Sequence, residues 1–151
     1  MRGFIIGFIA LWQTVSPAMA QEFVQYPGSW LDQRASQEAS NANNECHVFL
    51  AGDSYEKVYN FYKKRYAQFV FMAPAPKLPS GKTVQWAFFL LDGARDLAHS
   101  MHWIKIQRPF ILTVDGAMDF KDIREVTVIQ TVRRSVSGGD FDAGSASWAS
   151  A

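Results

Sequence analysis

One cysteine is all the chain contains, so no disulfide can close within it and stability has to come from packing. Charge of one sign is also missing. Fifteen Lys and Arg stand against fourteen Asp and Glu, for a formal net charge of +1, and no basic run occurs. That removes the electrostatic basis of nucleic-acid binding, which needs a concentrated excess of cations. A long hydrophobic run is absent too. The most apolar stretch, residues 3–12 (GFIIGFIALW), is about half of the ~20 residues needed to cross a bilayer, so stable membrane insertion is not expected. There is no internal repeat. What is present is a core: 48% hydrophobic and 15% aromatic residues against only 19% charged, far from the composition of a disordered chain.

Residues 1–20 read as a signal peptide. Arg2 supplies a positive start, residues 3–12 the apolar segment, and Ala18-Met19-Ala20 the small-large-small pattern before cleavage. Cleavage removes Arg2 and leaves fourteen basic against fourteen acidic residues, so electrostatic docking on a membrane surface has no support. The expected location is secreted, in the periplasm. Residues 135–151 (SVSGGDFDAGSASWASA) are rich in Ser, Gly and Ala without a hydrophobic period and read as a disordered tail. A single domain is expected over residues 21–134.

Within it, residues 30–39 (WLDQRASQEA) read as a strand and residues 40–44 as a polar turn. Residues 45–51 (ECHVFLA) alternate, with Cys46, Val48 and Leu50 on one face and His47, Phe49 and Ala51 on the other. Asp53 and Glu56 have capping-box spacing and open a helix in which Tyr55, Val58, Tyr59, Tyr62 and Tyr66 fall on one stripe. Residues 69–72, 84–91, 103–107, 110–114 and 125–133 read as strands. The recurrence of Ala94, Leu97, Ala98 and Met101 predicts a short second helix ending near His102. Connections are mostly too short for parallel crossovers. The expected class is therefore α+β: a mainly antiparallel sheet with one or two helices packed on a face.

The turn Tyr26-Pro27-Gly28-Ser29, followed by two strands and then Asp53-Ser54-Tyr55-Glu56-Lys57-Val58 with Phe61-Tyr62-Lys63, resembles uncharacterised secreted bacterial α+β domains over residues 26–66. In those domains this stretch precedes more sheet. The resemblance carries a fold expectation and no catalytic residue.

Four groups invite a chemical reading. Tyr55, Tyr59 and Tyr62 offer either a ligand platform or, more in keeping with a helix stripe, a core face whose hydroxyls reach its rim. His99 and His102, three apart on the expected helix, offer a metal pair or an acid/base couple oriented by Asp92 or Asp96. Arg95 falls between them and opposes a cation, and neither His47 nor Cys46 completes a ligand set from opposite strand faces, so no metal site is expected. The same divergence of faces denies Cys46 an activating imidazole from His47, leaving it a small buried hydrophobe. Gly81-Lys82-Thr83 has Pro76 where a phosphate-binding loop needs glycine, and is followed by a strand where that loop needs a helix. No cofactor is implied. The function expected from these features is a non-enzymatic envelope domain that binds a partner protein or small ligand; the alternatives are a small hydrolase-like enzyme using His99 or His102 and a structural envelope component.

Overall fold

In the computed structural model, the described residues are 20–114 and 117–135. The expected signal peptide (residues 1–20) and the expected disordered tail (residues 135–151) lie outside them except for Ala20 and Ser135. Eight strands and two helices follow in the order β1 (Trp30–Leu31), α1 (Gln33–Ala39), β2 (Asn44–Ala51), α2 (Tyr55–Lys63), β3 (Ala67–Phe69), β4 (Gln85–Leu90), β5 (His102–Arg108), β6 (Phe110–Val114), β7 (Ala117–Arg124) and β8 (Thr127–Arg134). Six strands form one sheet in the order β1-β2-β8-β5-β4-β3, antiparallel throughout, and β6 and β7 pair as a separate ribbon. The fold is α+β.

The two faces of the sheet follow from its register. Phe49 is opposite Ile129, Ile129 opposite Ile106, and Ile106 opposite Ala87, so one row of side chains crosses four strands on one face. The stripe of α2 covers that row: Val58 and Tyr62 are fully buried and join Phe89, Ile104, Ile106 and Ile129 in the main core. Tyr66 continues the stripe past the helix end, and its hydroxyl donates to Glu22 O and accepts from Val24 N, tying the first described residues to the core. Phe23 adds a ring stacked on Tyr62. On the other face Val48, Leu50 and Val128 pack beneath α1 and Phe110.

Four expectations need correction. Residues 30–39 are not one strand, because after Leu31 the chain turns into α1. Asp32 caps that helix by accepting from Ala35 N at 3.0 Å, and Ser36 Oγ donates to Asp32 O and accepts from Val48 N. Small side chains on the buried side of α1 give a weak hydrophobic period, which hides the helix. The cap of α2 is Ser54, which accepts from Lys57 N; Asp53 instead accepts from the Tyr26 hydroxyl and from Lys57 Nζ. Third, β3 stops at Phe69, leaving Val70 and Met72 68% and 92% exposed.

The fourth correction concerns residues 94–101, which form a turn-rich loop and not a helix. Asp92 organises it: its carboxylate accepts from the N–H of Ala94, Met101 and His102 and from the Ser100 hydroxyl. A side chain that satisfies backbone donors in this way competes with the helical ladder. Gly93, at φ +68°, lets the chain leave the strand into the loop. The apolar spacing was real, since Leu97 is buried against Phe88 and Leu90, but it serves the loop.

Candidate functional site

The tyrosine stripe is graded. Tyr62 is fully buried, while Tyr55 and Tyr59 are half-buried and stack on each other at 5.8 Å. Tyr59 Oη donates to Gln68 Oε1 at 2.8 Å, so even this ring is bonded to the neighbouring strand. Burial pushes the phenols of Tyr62 and Tyr55 well above their ordinary pKa. These rings behave as a core with a polar rim.

The two histidines have separate partners. His99 is on the surface of the Asp92 loop, its Nδ1 2.6 Å from Asp96 Oδ1 and its Nε2 2.9 Å from an Arg95 guanidinium nitrogen. Arg95 therefore occupies the ring nitrogen that acid/base chemistry would need. His102 opens β5, opposite Arg133 on β8. Burial, then the charge of Arg133, lowers its pKa, with Asp92 opposing. No hydrogen bond joins the two rings among the described residues, nor is any group of three His, Cys, Asp or Glu side chains placed to hold a metal ion. Gly81-Lys82-Thr83 is a turn with Gly81 at φ +84°; Lys82 Nζ meets Glu125 Oε1 at 2.9 Å, and β4 follows.

Cys46 lies where alternation put it, buried with Val48 and Leu50 while His47 faces the opposite way. Burial raises the thiol pKa, partly offset by the Gln130 side chain. Because the thiolate is the reactive form, native protein should resist alkylation and label only after denaturant opens the sheet. Rapid labelling of native protein would place the thiol on the surface.

The cleft that sequence reading missed is on the side of the sheet away from α2. It lies where β3 ends, is lined by Gln68, Phe69, Val70, Phe71, Trp86, Ala87 and Phe88, and measures about 120 Å³. Its walls are aromatic: Phe71 meets Trp86 edge-on at 5.8 Å and Phe88 at 5.7 Å. Lys105 is opposite Phe88 in the β4–β5 ladder, and its Nζ stands 5.8 Å from the centre of the Trp86 ring. Among the described residues no carboxylate pairs with that ammonium group. Burial lowers its pKa to about 8. Further along the same face Arg134 covers Trp103 at 5.1 Å and donates to Ala98 O.

No single segment announces this site. Its walls come from residues 68–71 and 86–88, each of which alone reads as core strand, while Lys105 on β5 stands near Trp86 without lining the cleft. The only sequence signal is Lys105 inside the apolar run WIKIQ, a charge at a position whose strand neighbours face the sheet interior. No known family model, curated protein or solved structure matches the chain.

Proposed function

We propose that the chain is an exported binding domain of the cell envelope that holds its partner at the β3–β4 edge, in the cleft between Phe71 and Trp86. The observation that carries this reading is the contrast between the two aromatic surfaces. The tyrosine stripe is taken up by packing and hydrogen bonds, whereas the cleft at the end of β3 adjoins the exposed segment of Val70 and Met72, which are 68% and 92% exposed. Clefts lined by aromatic side chains with a few placed polar groups are the usual form of a ligand site. In support of export, cleavage after Ala20 leaves intact the bond that Gln21 N donates to Leu91 O. A non-enzymatic role fits Arg95 capping His99 and the separation of His99 from His102.

Accessibility of Met72 tests the reading. With the partner in place in the intact envelope this thioether is shielded from oxidation; if the edge is not a binding surface it oxidises as fast there as in purified protein.

A further inference from the structure

We propose that the outer edge of β3 takes an acidic, extended segment of a partner protein, added as a further strand of the sheet. This rests on the reading of the β3–β4 edge as the binding surface and names the chemistry of the partner. The backbone is the first argument. β3 is the last strand of the six: it pairs with β4 through Ala67, Gln68 and Phe69, and on its other side no strand lies against it among the described residues. Past Phe69, Val70 and Met72 form no backbone hydrogen bond among the described residues, and both side chains are exposed. An edge of this kind is a template for another chain, which gains main-chain hydrogen bonds by lying beside it. Three ladder residues offer few such bonds, so a partner needs a second source of attraction.

Charge supplies it. The whole chain is balanced, yet residues 57–91 hold six basic side chains and no acidic one. Two of the six are matched, Lys57 by Asp53 and Lys82 by Glu125. The other four, Lys63, Lys64 and Arg65 at the end of α2 and Lys77 ahead of β4, are exposed and meet no carboxylate among the described residues. Lys63 Nζ stands 5.3 Å from the centre of the Tyr59 ring, and Tyr59 donates to Gln68 on β3, so this cation lies on the β3 side of the helix. Glu22, beside Tyr66 where β3 begins, offsets at most one of these charges. The opposite edge of the sheet differs. β1 runs at once into Asp32 and α1, where Asp32 meets Arg124 at 3.5 Å and Glu38 meets Arg34 at 2.8 Å, so cations and anions are matched there. Unmatched cations along β3 repel a second copy of the same edge and attract an acidic strand, which fixes the class of partner. An anionic lipid surface would use the charge and leave the main-chain groups of β3 unused.

The test uses the full chain as recovered from a secreting host and reads the amide resonances and amide exchange of residues 67–72 by NMR. The probes are a twelve-residue peptide of Glu-Val-Glu-Thr repeats, the same peptide with Lys for Glu, the acidic peptide N-methylated throughout so that it has no main-chain donors, and phosphatidylglycerol vesicles. The expected result is saturable binding of the acidic peptide, about tenfold tighter than its lysine counterpart, with slowed exchange along the edge and loss of binding on N-methylation. Lys63→Glu combined with Lys64→Glu should weaken the acidic peptide about tenfold at low salt, and by less at high salt, with the circular dichroism of the fold unchanged. Equal binding of the two charged peptides, or binding that survives N-methylation, overturns the assignment. So does the absence of saturable binding by the acidic peptide up to about 1 mM; if the vesicles then bind, the cations face lipid. If the acidic peptide fails while Met72 is shielded in the envelope, the edge still binds but its occupant is not an acidic strand; if both fail, the edge is not a binding surface.

Discussion

Replacing Tyr62 by Ala is expected to remove most of the stability of the domain. The ring is fully buried, stacks on Phe23 and Tyr66, meets Phe61 edge-on at 5.0 Å and lies 6.3 Å from Phe89, so its deletion opens a cavity where α2 joins the sheet. Deletions of this kind cost about 3–5 kcal/mol, and a domain of this size holds only about 5–15. Tyr62→Phe separates packing from hydrogen bonding. The Tyr62 hydroxyl is buried and has no well-formed hydrogen bond among the described residues, the Tyr26 backbone being its one weak neighbour, so removing it should change the denaturation midpoint by no more than about 1 kcal/mol. Denaturant midpoints of the three proteins decide the matter. A Tyr62→Ala midpoint equal to that of the unaltered chain would contradict the core assignment, and a marked loss in Tyr62→Phe would mean that the hydroxyl is bonded.

Asp92 carries the second large effect. One carboxylate satisfies three backbone N–H groups and the hydroxyl of Ser100, which is itself fully buried. Asp92→Ala should cost about 2–3 kcal/mol, because donors left without acceptors lose their full desolvation energy. The loss also has a pH signature. Burial opposes ionisation of Asp92, but the bonds donated by Met101, Ser100, Ala94 and His102 together outweigh it and hold the carboxyl below the ordinary range. Because the folded pKa is depressed, the stabilisation is complete above the unfolded value of about 3.9 and disappears as the pH falls through the folded value. Stability measured from pH 6 down to pH 2 should therefore fall less in Asp92→Asn than in the unaltered chain. Parallel acid profiles for the two proteins would show that Asp92 is not the group responsible.

Elements whose side chains repeat with a clear period were legible in the sequence. The alternation of Cys46, Val48 and Leu50 against His47, Phe49 and Ala51 marked β2 and the side chains on each of its faces, and the tyrosine spacing marked α2 and the face it buries. Elements shaped by side-chain bonds to backbone were not. Asp32 and Ser36 build α1 from a stretch without strong apolar signal, and Asp92 unmakes the helix that Ala94, Leu97 and Met101 spell out. Both effects turn on one carboxylate finding particular donors, and a hydrophobic pattern carries no record of that. The cleft was illegible for a different reason. Phe69, Trp86 and Phe88 are brought together only because β3 pairs with β4, and the end of β3 at Phe69, after which Phe71 joins the wall, leaves no mark in the run FVFM.

The most direct measurement of the central claim is the oxidation rate of Met72 by hydroxyl radicals, taken once in the intact envelope of a secreting host and once in purified protein. Met118 serves as the internal reference, because it packs on the separate cluster of Leu78, Val84 and Ile111 near the β6–β7 ribbon. At 92% exposure Met72 starts from nearly full reactivity, so shielding is easy to detect. The account predicts that Met72 slows several-fold in the envelope relative to Met118, with the rates of Tyr55 and Tyr59 unchanged. Equal rates for Met72 in both settings, or slowing confined to the tyrosine helix, would contradict it.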